Sequence, residues 1–303
     1  MPVSASENAA PLEGLRVLTL AVNLPGPVAA SRLAGLGARV TKVEPPAGDP
    51  LALACEPYYR GLLAGQEVVQ LDLKADAGRV SLWELLEDTD LLLTSSRPRA
   101  LERLGLDWES LHARLPRLSQ VAIVGHPGAG GDLPGHDLTY QAGAGVLRPP
   151  QLPTVLVADL AGAERAVADG LALLLQAART GRGGRREVAL SEVAEAMAEP
   201  AGHGLTAPGG LLGGALPGYG IYPTRRGYVA VAALESHFWD ALVMALGIGG
   251  SRGDLEAAFA ARTAAEWEAW GAERGLPIAA IREPGDPTRS TDRSGDDGGT
   301  PCS

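Results

Sequence analysis

Residues 15–46 read LRVLTLAVNLPGPVAASRLAGLGARVTKVEPP. Leu15–Leu20 is an apolar run of the length of a buried strand, ended by the break Leu24-Pro25-Gly26-Pro27. A helical pattern follows from Val28 to Leu36, and Gly37 stops it. Arg39–Glu44 is the next strand, closed by Pro45-Pro46. Strand, turn, helix and strand with such short connections lie side by side with the strands parallel, so the fold class is α/β.

Outward from this unit, Val68–Leu73, Asp90–Thr94, Leu118–Ile123 and Arg186–Leu190 read as further strands. Helices are expected over Ala75–Asp88 and 160–179, the second with Leu160, Val167, Leu171, Leu174 and Leu175 at helical spacing. The Gly- and Pro-rich stretch 125–135 is a loop. Beyond a second such stretch, 202–220, a hairpin is expected from Gly220–Pro223 and Tyr228–Ala233, then helices over Ser236–Leu246 and Thr263–Arg274. The expected organisation is a mobile arm over 1–13, a large open-sheet domain over 14–200 and a smaller α+β domain over 201–282. Residues 283–303 carry too little apolar surface to fold and are expected to form a disordered tail.

Composition narrows the function. A chain of 303 residues with a formal charge of −10 is a poor non-specific partner for nucleic acid. Its two cysteines, Cys55 and Cys302, make neither a CxxC metal site nor a visible disulfide framework. No basic stretch and apolar core open the chain as a secretory signal would, and no apolar run approaches the ~20 residues of a membrane span. A cytoplasmic protein with neither a membrane nor a nucleic-acid partner is expected. The first strand is not followed by G-x-G-x-x-G, and neither a P-loop nor G-x-S-x-G occurs. The five histidines have no metal spacing.

Three ionisable residues stand at structural junctions. His136 lies in Gly135-His136-Asp137-Leu138-Thr139-Tyr140, Asp159 ends the apolar run Thr154–Ala158, and Glu235 ends the run Tyr228–Leu234. Both runs look like short strands, and polar residues at the ends of buried strands are where α/β folds place chemistry. Each also has an ordinary use in isolation: Asp159 as a helix cap, His136 as a solvated loop residue, Glu235 as a charge favourable to the start of a helix.

The ordered strings "LAGLGARVTKVEPP", "LDLK", "RPRALERLGLDWESLHARLPRL", "GHDLTY" and "TGRGG" resemble the family III CoA-transferases, the carnitine dehydratase and bile-acid-inducible group, and most of all their α-methylacyl-CoA racemase branch. The resemblance runs from Gly14 to Arg282. It implies a Rossmann-like large domain, a small domain and a homodimer of interlocked chains. It also implies an acyl-CoA thioester as substrate with no tightly bound cofactor. By motif position, Leu71, Lys74, Arg97, Arg103 and Leu104 match CoA-contacting residues; guanidinium groups suit the phosphates of CoA. His136, Asp159 and Glu235 match the racemase residues. His136 and Asp159 would be two bases on opposite faces of an α-carbon, and Glu235 would orient His136. N–H groups at the helix start beside Asp159 would hold the enolate oxygen. The transferase branch uses the Asp alone, as a nucleophile. Two alternatives therefore stand beside the racemase reading: a CoA-transferase working through Asp159, and a truncated paralogue that binds CoA esters without turnover.

Overall fold

The computed structural model describes residues 10–283. These fall into two compact units, one up to Ala198 and one from Glu199. The first runs β1 (Arg16–Thr19), α1 (Pro25–Gly35), β2 (Arg39–Glu44), α2 (Pro50–Ala54), α3 (Glu56–Leu62), β3 (Gln66–Gln70), α4 (Asp76–Glu87) and β4 (Leu91–Thr94). It continues with α5 (Pro98–Arg103), α6 (Trp108–Arg114), β5 (Ser119–Val124), α7 (Asp137–Gly143), α8 (Val157–Thr180) and β6 (Arg185–Ala189); α9 (Leu190–Gly202) carries the chain over the unit boundary.

The six strands form one parallel sheet in the order β3-β2-β1-β4-β5-β6. Its central strands are apolar on both faces, the mark of a sheet covered on both sides. Alternation along the strands sorts the core into two layers. Val17, Leu91, Leu93, Val121 and Ile123 pack with α1 and α8, while Leu18, Leu92 and Val43 pack with Leu82, Leu86 and Leu111 from α4 and α6. The chain winds one way from β1 to β3 and the other way from β4 to β6. The loops that follow β1 and β4 consequently leave the sheet in opposite directions and open a crevice between them.

Two expectations are corrected here. Thr154–Ala158 is not a strand: residues 154–156 are exposed irregular chain, and Val157 and Ala158 already belong to α8. A short apolar run carries no period long enough to separate a strand from the start of a helix. The arm expected over 1–13 does not extend to its end, because Leu12 is buried in the core and its N–H donates to the Leu36 carbonyl at 2.9 Å. Residues 1–9 of that arm, and the tail from 284, lie outside the described residues.

The second unit is a three-stranded antiparallel sheet, β7 (Tyr219–Pro223), β8 (Tyr228–Ala232) and β9 (Ile278–Ala280), with α10 (Ser236–Leu246), α11 (Arg252–Phe259) and α12 (Ala264–Ala272). Its core holds a run of aromatic rings among aliphatic side chains. Tyr222 meets Phe259 at 5.3 Å between ring centroids, Phe259 meets Trp267 at 5.1 Å, and Trp267 meets Trp270 at 5.1 Å, the last two pairs edge to face. The Trp267 indole N–H donates to the Phe259 carbonyl at 2.8 Å, which satisfies its one donor. Among the described residues, no helix is long and apolar enough to cross a membrane.

The Pro-Gly-Pro break has a steric basis. A Cβ on Gly26 would stand 2.1 Å from the Ala21 Cβ, so only glycine lets the first turn of α1 lie against the loop after β1. Gly26→Ala is expected to destabilise the large unit by about 1–3 kcal/mol, as overpacking does. Urea denaturation followed by far-UV circular dichroism checks this; an unchanged midpoint would refute it.

Candidate active site

A cavity of about 250 Å³ opens at the carboxyl ends of β1, β4 and β5. Val22, Asn23 and Pro25 form the wall after β1, and Ser95, Ser96 and Arg97 the wall after β4. His136, Tyr140 and Asp159 complete it from α7 and α8. Every lining residue belongs to the large unit.

His136 stands at the N-cap position of α7. Its N–H donates to the Thr139 hydroxyl oxygen at 3.0 Å, and that hydroxyl donates back to the His136 carbonyl at 2.8 Å. This local ring of bonds starts the helix at Asp137 and leaves the imidazole exposed in the cavity.

The neighbouring Asp137 is only 3 % exposed. Its Oδ1 accepts the N–H groups of Ala158 at 2.8 Å and Asp159 at 3.0 Å. Its Oδ2 accepts from the Gln141 amide, which also donates to the Val155 carbonyl at 3.1 Å. Asp137 thus supplies the cap that the α8 sequence lacks, since the N-cap residue of α8 is Leu156. Asp159 sits in the first turn, not at the cap. The N–H groups of Ala158 and Asp159, expected to face a substrate oxygen, are already taken by this carboxylate.

Asp159 is half-buried, and its carboxyl is pushed up to about 6, first by burial and then by the negative charge of Asp137. Tyr140 is buried beside it, with its ring edge-on to His126 at 5.4 Å between centroids. Its phenol is raised, mainly by burial and further by Asp159, with Arg97 acting the other way.

Of the five expected CoA-contacting residues, Arg97 alone lines this cavity. It directly precedes Pro98, the first residue of α5. Arg103 ends that helix and Leu104 caps it. Leu71 follows β3, with its N–H on the Glu44 carbonyl at 2.9 Å, and Lys74 lies in the turn before α4. The side chains of Lys74, Arg97 and Arg103 are exposed and make no ion pair with the described residues. Glu235 lies in the second unit, at the N-cap position of α10, where its carbonyl accepts from Phe238 and Trp239 at 3.0 Å and its side chain is exposed.

Sequence reasoning missed Asp137, Tyr140 and Asn23 as members of the site. The signal for the first two lay in GHDLTY: an acid beside the histidine at a helix start, and an aromatic one turn on. Asn23 carries a φ of 68°, which no sequence pattern announces.

Asp159→Asn is expected to stabilise the protein above pH 6. The raised folded pKa means that ionising Asp159 costs folding energy, an effect absent below the unfolded value near 4, growing between pH 4 and 6, and complete above it. With partial exposure the gain is about 1–3 kcal/mol. Asp137→Asn keeps an oxygen for the two N–H groups and removes the charge, so it shifts the window to lower pH. Urea midpoints across pH 3.5–8 check both; a gain independent of pH would count against the assigned cause.

Residues 12–293 match the profile of CoA-transferase family III. The α-methylacyl-CoA racemase of Homo sapiens is 33% identical over 259 residues, covering 78% of this chain and 65% of the relative. The succinyl-CoA–D-citramalate CoA-transferase of Chloroflexus aurantiacus is 30% identical over 262 residues, again covering 78% and 65%. The chain therefore spans just under two thirds of the length of each. The crystal structure of a hypothetical protein, Rv3272, from Mycobacterium tuberculosis superposes with a TM-score of 0.77 at 27% identity, covering 91% of this chain and 85% of that one.

Proposed function

Since the chain belongs to CoA-transferase family III, we propose that it is an acyl-CoA-processing enzyme that exchanges the α-proton of a 2-substituted acyl-CoA thioester, with His136 and Asp159 as the two bases. The observation that carries this reading is that both side chains line one cavity. A carboxyl near 6 on one side and an imidazole on the other suit proton transfer at neutral pH.

In one direction the Asp159 carboxylate takes the α-proton. The C–H electron pair passes into the C–C bond and pushes charge onto the thioester oxygen, giving an enolate. An imidazolium at His136 then returns a proton to the opposite face, and the centre is inverted. The reverse direction exchanges the roles. Arg97, Arg103 and Lys74 are placed to meet the phosphates of CoA, in keeping with their making no ion pair among the described residues. Asp137 keeps Asp159 in place, and burial, with the Asp137 charge added to it, makes Asp159 a stronger base than an ordinary carboxylate.

A second reading draws on the citramalate transferase relative and on the place of Asp159 in the cavity. In it the Asp159 carboxylate attacks the thioester carbonyl and expels CoA thiolate, leaving a mixed anhydride. The thiolate then attacks the Asp159 carbonyl carbon, releases the acyl carboxylate and leaves an aspartyl-CoA thioester for an acceptor acid. This route has no proton-transfer step for His136.

Incubation with 2-methylacyl-CoA in deuterium oxide separates the two. Exchange at the α-carbon with inversion is expected, the inversion reduced at least a hundredfold in His136→Ala and in Asp159→Ala, with a pH limb near 6 for the carboxylate. Absence of exchange, together with acyl-CoA-dependent inactivation by hydroxylamine at Asp159, would replace the racemase reading with the transferase. CoA-ester binding without either activity would leave a binding protein.

A further inference from the structure

Behind the wall formed by Val22 and Asn23 lies a group of buried charges for which proton exchange has no use. Lys42, on β2, is fully buried, and its ammonium lies 2.5 Å from Asp49 Oδ2 and 3.6 Å from Glu44 Oε1. It also donates to the Ala21 carbonyl at 3.2 Å. Asp49 Oδ1 accepts the Asn23 N–H at 3.0 Å and the Leu51 N–H at 2.9 Å. The Tyr59 phenol donates to Glu44 and stays protonated, since burial and the two carboxylates hold it far above its usual range.

A buried ion pair is a poor source of stability, because desolvation consumes most of the attraction. What this pair supplies is direction. Its two ends hold the residues on either side of Val22: the ammonium holds the Ala21 carbonyl, and the carboxylate holds the Asn23 N–H. Asn23 sits in the left-handed region, at φ 68°, which residues with a side chain adopt uncommonly and asparagine more readily than most. Val22 between them is tied to the other wall, its N–H on Ser95 Oγ at 3.1 Å. The Glu44 oxygen facing Lys42 also takes the Tyr59 phenol, which leaves Asp49 the closer carboxylate to the ammonium.

We propose that Lys42 and Asp49 are positioning residues, whose buried ion pair pins the left-handed turn at Asn23 and so fixes one wall of the cavity that His136 and Asp159 line. The acyl-CoA reading enters only in naming the ligand that this wall meets.

Amide hydrogen exchange on the full chain, without ligand, tests the pin directly. In Tyr59→Phe, which removes one hydroxyl, Glu44 competes for Lys42, and the Asn23 amide is expected to exchange about fivefold faster. In Lys42→Met it is expected to exchange at least tenfold faster. Leu111→Ala, in the core on the α4 and α6 side of the sheet, is the control: it lowers overall stability and leaves the Asn23 amide no less protected than the strand amides around it. Acetyl-CoA titrated by calorimetry is expected to bind at least threefold more weakly to Tyr59→Phe and with unchanged affinity to Leu111→Ala. An Asn23 amide that exchanges at the wild-type rate in Tyr59→Phe, or that loses as much protection in Leu111→Ala, overturns the proposal. Tyr59→Phe decides the matter should Lys42→Met fail to fold. Faster local exchange in a protein whose wild type binds no acetyl-CoA supports the pin and overturns the acyl-CoA reading instead.

Discussion

One carboxylate oxygen, Oδ1 of Asp137, organises the site. It accepts the N–H groups of Ala158 and Asp159 from a helix that begins some twenty residues downstream. A 24-residue helix presents partial positive charge at its first turn, and Leu156 has no side chain to meet it. Asp137 meets it with a full negative charge inside the protein. The two helices are thereby locked at their starts, and the residues beside the lock, His136 and Asp159, are delivered to the same cavity. Burial raises the Asp159 carboxyl first, and the same charge, disfavouring a second anion next to it, raises it further. One group therefore gives the site its structural order and adds to the acid–base character that burial sets.

The sheet explains why such a lock is sufficient. Leu91, Leu92 and Leu93 are fully buried, with helices on both faces, so the carboxyl ends of β1 and β4 emerge from a close-packed base. Short loops leaving that base have little freedom, and side-chain bonds such as Val22 N–H to Ser95 Oγ remove more of it. Polar groups can then be held at an apolar floor without long loops to carry them.

Much of the frame was legible because it is local. The run 16–19, the Pro-Gly-Pro break and the run 39–44 each hold their signal within a few residues, and β1, α1 and β2 follow them closely. The helix around 160–179 was legible for the same reason, as was the hairpin at 219–232. Thr154–Ala158 was misread because a capped helix start and a buried strand share an apolar spelling, and the cap lies far away in sequence. The strand Ile278–Ala280 is three residues long and gains its identity only by pairing with β8. Within the site, His136, Asp159 and Arg97 were visible as residue types in motif order. Asp137 was passed over because its importance lies in two backbone donors twenty residues distant, and Asn23 because a backbone dihedral leaves no mark on a sequence.

The aromatic core of the smaller unit has a consequence for how this protein is observed. Of five tryptophans, Trp239, Trp267 and Trp270 belong to that unit, and the last two are buried against each other. The larger unit holds only Trp83 and Trp108, both partly accessible and placed on its helices α4 and α6, away from the cavity walls. Intrinsic fluorescence is therefore weighted toward the unit that does not line the cavity. An emission shift on heating or in denaturant follows that aromatic cluster first, and it equals the melting of the cavity only if the two units unfold in one cooperative step.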